Sequence, residues 1–337
     1  MNQPVKHLYS VIVPVYNRPA EVDELLQSLA RQTARNFEVI IVEDGSTVPC
    51  GDVVKKYEAE CPVKYFFKEN EGRSIARNYG MEHATGDYFV FFDSDCVIPA
   101  DYFDKLNAFQ AERPLDCYGG PDAADESFTT TQKAINFAMT SFLTTGGIRG
   151  GKVSMEKFTP RTFNMGFSRK VYQKVGGFRE MFSEDIDMSS RIRIAGFSIG
   201  LYADLPVYHK RRVNFLKFWR QVYVFGMSRI TLKLLYPDAL KAVHCLPAVF
   251  VLGVIASILM AVFLSPWWLT PLVLYLFAIF CSALKTTGSP VIALKAVPAS
   301  LIQLCGYGCG FLKAFFLKII LRRGRNVEEE IAMRKGK

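Results

Sequence analysis

The sequence predicts an α/β domain with a parallel sheet, followed by an α-helical region made of long apolar runs. Three observations predict it. First, the β-branched run Ser10–Tyr16 is followed by an amphipathic helical stretch and then by a second apolar run, Phe37–Val42. Strand, helix, strand in that order is the unit of a parallel sheet. Second, acidic residues stand directly after two of the predicted strands, at the edge where such sheets bind ligands. Third, the charge changes sign along the chain. Residues 1–204 carry 23 Lys+Arg against 28 Asp+Glu, a net of −5, and residues 205–337 carry 18 against 4, a net of +14.

At 337 residues the chain suffices for one large globular domain and an attached module. The positive charge flanks the apolar runs and not the α/β part. That placement suits anionic lipid headgroups and argues against a nucleic-acid partner. The eight cysteines form no C-x-x-C pair, and Cys245, Cys281, Cys305 and Cys309 lie in or beside apolar runs. They read as reduced small hydrophobes in a cytosol-facing protein, not as a disulfide framework. Met1–Lys6 is polar and Val11–Val15 is interrupted by Pro14, so no signal peptide is expected.

Along the chain, Pro19 suits the first turn of a helix, and Val22, Leu25, Leu26 and Leu29 give it one apolar face. The second strand ends in Glu43-Asp44-Gly45-Ser46. Ser74 is expected to cap a helix carrying Ile75, Ala76 and Tyr79, which Gly86 ends. Tyr88–Phe92 is a fully apolar strand stopped by Asp93-Ser94-Asp95. Residues 118–162 are loop-rich, with one helix near Thr131–Phe142. Residues 184–196 look helical, and Ile199–Tyr208 is a late strand leading to His209.

From Asn214 the character changes. Leu216, Trp219, Tyr223, Met227 and Ile230 recur at steps of three or four, with Lys217, Arg220, Gln221 and Ser228 largely opposite. This fits an interfacial amphipathic helix, with a core helix as the plainer alternative. Val243–Leu264 and Trp267–Leu284 are each long enough to cross a bilayer, and Trp267-Trp268 sit where an aromatic belt would. Val291–Ile320 is a third apolar stretch, but it holds Lys295, Lys313 and Lys318 and a Gly306/Gly308/Gly310 run. Lys313 and Lys318 are expected to snorkel. Positive charge before the first span (Lys210, Arg211, Arg212) and after the last (Arg322, Arg323, Arg325) calls for an even number of crossings. The apolar runs number three, so the third is expected to be re-entrant or interfacial, or to conceal a tight hairpin. The organisation expected is a domain over 1–212, an interfacial helix region over 213–242, membrane helices over 243–320 and a basic tail over 321–337.

Two carboxylates at the end of a buried strand need a counter-charge. Alternate residues of a strand share a face, so Asp93 and Asp95 can face one site unless a turn separates them. A hard divalent cation, Mg²⁺ or Mn²⁺ with phosphate oxygens completing its shell, would relieve their repulsion. A solvated turn is the alternative. Asp44, at the tip of the second strand, can accept hydrogen bonds from a base or ribose, or simply form an Asp-Gly turn. Glu184, Asp185 and Asp187 either complement a helix N-terminus or supply a base for a hydroxyl. His209 is a structural histidine or a nitrogen ligand to the same cation.

Taken together and in order, these pieces resemble family 2 glycosyltransferases, which have the GT-A fold, a Rossmann-like mixed sheet that binds nucleotide-diphospho-sugars. Ser10-Val-Ile-Val-Pro-Val-Tyr-Asn17, Val39-Ile-Ile-Val-Glu-Asp-Gly-Ser46 and Asn70-Glu-Gly-Arg-Ser-Ile-Ala-Arg-Asn78 resemble the family's nucleotide-binding segments. Ala84-Thr-Gly-Asp-Tyr-Phe-Val-Phe-Phe-Asp-Ser-Asp95 resembles its strand and D-x-D motif. Asn164, Val175-Gly-Gly-Phe178, Ser183-Glu-Asp185 and Arg191 resemble its acceptor-side half, and Val207-Tyr-His209 its closing metal-site segment. The resemblance covers about residues 8–212. It implies that Pro14, Tyr16 and Asn17 line the nucleoside pocket, that Asp44 bonds the base or ribose, and that Arg77 and Asp93 orient the donor. It implies Asp95 and His209 on the metal, Asp185 as base with Glu184 beside it, and Asn164, Gly177 and Phe178 on the acceptor side. Glu43-Asp44 stands where paired aspartates are commoner, and Cys96 where a further carboxylate is common.

What the resemblance implies is a metal-dependent, inverting transfer of a sugar, from a UDP-sugar donor to a lipid-linked or glycan acceptor at the membrane. The catalytic part would face the cytoplasm at a bacterial inner membrane, within cell-surface polysaccharide or glycolipid synthesis. Processive synthases of the family carry Gln-x-x-Arg-Trp. The nearest segment here, Phe218-Trp-Arg-Gln-Val222, does not match, which favours addition of one or a few sugars over processive synthesis. A non-catalytic scaffold is opposed by the intact Asp93, Asp95, Asp185 and His209. A dinucleotide oxidoreductase is opposed by Pro14-Val-Tyr-Asn17 where G-x-G-x-x-G would stand.

Overall fold

A computed structural model describes residues 7–123, 128–146, 158–209, 214–324 and 326–327. Contacts divide the chain into two units, 1–125 with 158–210, and 126–157 with 211–337. The basic triplet Lys210, Arg211 and Arg212, most of the tail beyond 324, and the side chain of His209 lie outside what is described.

The first unit begins β1 (Tyr9–Val15), α1 (Pro19–Ala30), β2 (Phe37–Asp44), α2 (Gly51–Lys55), β3 (Val63–Lys68), α3 (Arg73–Glu82), β4 (Tyr88–Phe91), β5 (Cys96–Val97), α4 (Tyr102–Glu112), β6 (Cys117–Gly119) and β7 (Asp122–Ala123). The chain then forms α5 (Thr130–Thr140) and α6 (Phe142–Thr145), which belong to the second unit. It returns as β8 (Met165–Ser168), α7 (Arg169–Val175), α8 (Glu184–Ile194), β9 (Ile199–Leu201) and β10 (Val207–His209).

Among the described residues the main sheet runs β3-β2-β1-β4-β8-β6-β9. Strands β3, β2, β1 and β4 are parallel, and β8 lies antiparallel between β4 and β6. This is the mixed sheet of the GT-A fold. A small ribbon, β5-β10-β7, stands beside it. Both sheet faces are covered, which is why β2 is buried at every position and carries the apolar stretch Val39–Val42. Val11, Val13, Val39 and Ile41 pack with Leu25, Leu26 and Leu29 of α1 and Phe103 and Leu106 of α4. Ile12, Ile40, Phe89 and Phe91 pack on the other face with Ala76 of α3, Val171 of α7 and Met188 and Ile192 of α8. At the opposite end of the sheet from the ligand edge, Glu38 accepts hydrogen bonds from Ser10 Oγ at 2.7 Å, Thr85 N–H at 2.6 Å and Lys64 Nζ at 2.8 Å. Burial alone would raise its pKa; these donors outweigh it and hold the carboxyl at about 2.

The second unit adds α9 (Phe215–Leu235), α10 (Ala242–Phe263), α11 (Thr270–Thr287) and α12 (Pro290–Ala314), the last running on into a π turn at Phe315–Ile320. Among the described residues three helical stretches are long and apolar enough to cross a membrane: Ala242–Phe263, Pro266–Thr287 and Pro290–Ile320. The third is one continuous helix, so the hairpin alternative falls away. Half of its most apolar window is buried, against 11% for the other two, because α12 is the helix the rest pack on. Phe137 of α5 meets Ile279 and Ala283 of α11 and Ala293 and Ala296 of α12. Ile135 and Met139 of α5 meet Phe218 and Val222 of α9 and Ala299 of α12.

The charges inside α12 are explained locally. Lys295 Nζ donates to the hydroxyls of Thr130 at 2.6 Å and Thr131 at 3.2 Å. Lys313 Nζ lies 5.8 Å from the ring centroid of Tyr223, a cation–π contact.

The buried stripe of α9 is Phe218, Val222, Gly226 and Ile230, with Leu216 left exposed. The face read from the sequence ran through Leu216, Trp219, Tyr223, Met227 and Ile230, so of those only Ile230 belongs to the buried stripe. Glycine is the reason. A Cβ on Gly226 would run into the backbone oxygen of Tyr307, and one on Gly310 into that of Tyr223. The two helices touch backbone to backbone, as small residues allow in apolar surroundings.

Gly226→Ala should force α9 and α12 apart and lower stability by about 1–3 kcal/mol. Gly253→Ala, where a Cβ meets nothing within 4 Å, should be neutral or stabilising. Thermal unfolding of the full chain in detergent checks both, and equal midpoints for the two variants would contradict the packing.

Candidate active site

The ends of β1 and β2 are tied by side chains onto one loop. Asn17 adopts φ +54°, and Asn17 and Ser183 are two of the three non-glycine residues with positive φ among those described. Its Oδ1 accepts from Val48 N–H at 2.9 Å and Thr47 Oγ1 at 3.1 Å, and its own N–H donates to Ser46 Oγ at 2.7 Å. Glu43 is fully buried and accepts from Cys50 N–H at 2.6 Å, from Tyr65 OH at 3.1 Å and from Ser46 Oγ. A longer acid than aspartate reaches all three, so Glu43 shapes the loop. Tyr16 is half exposed beside it, and Pro14 lies within β1.

Asp44 is buried at the tip of β2 and caps α3 from outside. Its Oδ1 accepts from Glu71 N–H at 3.0 Å and its Oδ2 from Gly72 N–H at 2.8 Å. Lys68 Nζ reaches Oδ1 at 3.1 Å. Gly72, at φ +98°, is the N-cap residue of α3. The sequence expectation of Ser74 as cap is therefore corrected. An acid on the neighbouring strand satisfies donors that a local serine would have taken.

One helical turn into α3 the charges begin to alternate. Arg77, 1% exposed, donates to Asp93 Oδ1 at 2.8 Å and to Glu184 Oε1 at 3.0 Å. Arg73, one turn earlier on the same face, donates through Nη2 to Glu184 Oε2 at 2.9 Å and pairs through Nε with Oε1 at 2.8 Å. Both oxygens of Glu184 are thus occupied, and the group holds α8 onto α3. The Arg77 guanidinium lies 5.7 Å from the ring centroid of Phe178. Phe178 is fixed by Asn78, whose Oδ1 accepts from Phe178 N–H at 2.7 Å and whose Nδ2 donates to Phe178 O at 2.9 Å. A Cβ on Gly177 would strike Asn78, so glycine is required there.

Asp185 stands in the first turn of α8. Its Oδ1 accepts from Ile186 N–H at 2.8 Å and its Oδ2 from Arg161 Nη1 at 3.2 Å. Burial pushes its pKa up, but Arg161, that N–H and Arg73 pull harder, so the carboxyl sits below the ordinary aspartate value and stays ionised. Asp187 is fully buried and pairs with Arg191 Nε at 2.9 Å, while Arg191 also donates to Val175 O and Gly177 O. That fixes the turn carrying Gly177 and Phe178.

Strand β4 ends at Phe91, so Asp93 and Asp95 sit on a turn and part company. Asp93 turns to Arg77, and Asp95 accepts from Arg18 Nη1 at 2.8 Å. His209 is in β10, paired in register with Cys96. Among the described residues no group of three or more His, Cys, Asp or Glu is placed to hold a metal. Asn164 is fully buried, accepting from Tyr102 OH at 2.7 Å and donating to Leu205 O at 2.8 Å.

The sequence reading missed the cations that the acids hold: Arg18, Arg73 and Arg161. Arg73 was open to detection, since it precedes Arg77 by one helical turn. Arg18 and Arg161 carry no periodic signal.

Arg77→Met should lower unfolding free energy on the order of 3 kcal/mol, because it removes two ion pairs, one of them to the buried Glu184. Denaturant unfolding followed by circular dichroism reads this. An unchanged midpoint would show that the ion chain does not hold α3 to α8.

Residues 10–176 match the model of glycosyl transferase family 2. An uncharacterized glycosyltransferase of Rickettsia conorii is 42% identical over 97 residues, which is 29% of this chain and 16% of that protein. The chain thus matches only a small part of that relative's length. The mannosyltransferase PcManGT of Pyrobaculum calidifontis, solved with GDP-Man and Mn²⁺, superposes over 94% of this chain and 90% of that one, at TM-score 0.56 and 18% identity. Staphylococcus aureus TarS 1–349, solved with UDP-GlcNAc, covers 91% of this chain and 92% of that one at TM-score 0.50 and 19% identity. Sequence motifs, mixed sheet and family match agree: residues 10–176, about half of the chain, are similar to glycosyl transferase family 2.

Proposed function

We propose that the chain transfers a sugar from a nucleoside-diphosphate donor to a hydroxyl of a membrane-proximal glycan or lipid-linked acceptor, with inversion at the anomeric carbon, in cell-surface polysaccharide or glycolipid synthesis. One observation carries this reading. Asp185 is an ionised carboxylate in the first turn of α8, and its neighbour Glu184 is bridged through Arg77 to Asp93 at the end of β4. A base and the donor-edge acid are thereby locked into one frame.

In the transfer, Asp185 takes the proton of the acceptor hydroxyl. That oxygen forms the new bond to the anomeric carbon while the bond to the diphosphate oxygen breaks and the electron pair leaves with the diphosphate. Glu184, held by two arginines, positions the base and does not share its work. Asp44 fixes the start of α3 beside the nucleoside loop of Tyr16 and Asn17. UDP is the proposed carrier from the family resemblance; the two structural relatives were solved with GDP-Man and UDP-GlcNAc.

The residues fit a hard divalent cation. Asp95 offers oxygen ligands on the turn after β4, and Mg²⁺ or Mn²⁺ takes one or two protein carboxylates and fills its shell with phosphate oxygens and water. Asp95, with His209, would hold it, and the ion would supply positive charge for the departing diphosphate. The three apolar helices support attachment to a membrane, and the proposed place of the catalytic part is the cytoplasmic side of the cell membrane.

Nucleoside diphosphate release by the full chain in detergent, across UDP- and GDP-sugars, tests the reading. Asp185→Asn should keep donor affinity and lose turnover by about 10²-fold or more; full turnover would reject the base. Arg161→Gln should move the acid limb of the pH–rate profile to higher pH. The sign follows from the pairing: Arg161 holds the Asp185 pKa down, so without it the base protonates sooner as pH falls. An unmoved limb would show that Asp185 does not set that limb.

A further inference from the structure

The charged groups of the site differ in how firmly they are held, and Arg18 is the loose one. Arg77 is 1% exposed and bridges two acids from different elements, so moving it breaks two ion pairs at once. Arg18 is 34% exposed, follows Asn17 on the nucleoside loop, and makes its short contact with Asp95 alone, Nη1 to Oδ2 at 2.8 Å. Asp95 is only 11% exposed, and Arg18 occupies its Oδ2, an oxygen by which that carboxylate would meet a cation. A second acid, Glu21, lies 3.8 Å from the same Nη1, one turn into α1, ready to receive the guanidinium.

We propose that Arg18 stands in for the divalent cation at Asp95 while donor is absent, so that cation and nucleoside diphosphate enter together and not in sequence. A free cation approaching Asp95 meets a guanidinium already on the carboxylate and is repelled by it. A diphosphate carrying its cation changes the balance. Its phosphate oxygens are better partners for a planar guanidinium than a single carboxylate oxygen is. Arg18 then moves from Asp95 to the diphosphate, and Asp95 is released to the cation. No covalent step is involved. The part concerning nucleotide rests on the function proposed above; the part concerning Arg18 and Asp95 does not.

The test is Mn²⁺ binding to the full chain in detergent, read from the electron paramagnetic resonance signal of free Mn²⁺. It is run with Mn²⁺ alone, with UDP and with GDP. With Mn²⁺ alone, Arg18→Gln should bind on the order of tenfold more tightly than the wild type, the size of an ordinary coupling between two sites. Arg18→Lys, which keeps the charge, should stay near the wild type. Asp95→Asn in the Arg18→Gln background should abolish the gain. Adding UDP or GDP should tighten Mn²⁺ in the wild type by a larger factor than in Arg18→Gln. Equal affinity of wild type and Arg18→Gln for Mn²⁺ alone would overturn the proposal. So would a gain that survives Asp95→Asn. A gain with Mn²⁺ alone but no response to either nucleotide would keep Arg18 at Asp95 while overturning joint uptake and the nucleotide-sugar function together.

Discussion

A buried guanidinium has to be surrounded by acids, and the site is organised around that constraint. Arg77 carries a full charge in a place almost closed to water, and such a charge is tolerated only with partners of the opposite sign. Asp93 and Glu184 supply them from β4 and α8, and Arg73 balances the second charge of the set. Two arginines and two acids thus close a neutral chain across three elements. Asp185 takes its position from Glu184, one residue before it. Its backbone belongs to the turn that Glu184 fastens to α3.

The strands of the parallel half were legible because both faces of the sheet are covered, which writes β4 as an unbroken apolar run and puts the apolar stretch Val39–Val42 inside β2. Strand β8 was not. It is four residues long, with Gly166 at its centre, and it gains its place only by pairing with β4 and β6. Helix α5 was visible, but not where it belongs. Its apolar positions report that it is buried and cannot say against what. The face of α9 was displaced for a related reason. Hydrophobicity marks large side chains, while the contact with α12 is made where side chains are missing, at Gly226 and Gly310.

The same asymmetry holds in the site. Acids at strand ends stand out in a sequence, since a carboxylate after five apolar residues needs a reason. The arginines that answer them come from distant positions and obey no spacing. Arg161 and Asp185 are 24 residues apart, and Arg18 and Asp95 are 77 apart. Asp44 and Glu43 illustrate the other side of this. Family resemblance assigns Asp44 to a ligand, whereas hydrogen bonding shows the two acids building a loop and the start of a helix.

Helix α5 has a practical bearing on how the protein can be divided. It leaves the first unit after β7 and packs Phe137, Ile135 and Met139 among α9, α11 and α12. A chain cut after β10 would retain α5 and lose everything that covers those side chains. The excised fragment would carry a greasy flap in the middle of its sequence and would tend to aggregate, however sound its sheet. Separating the two units cleanly would require a second excision, of the 126–157 segment, and not merely a stop codon.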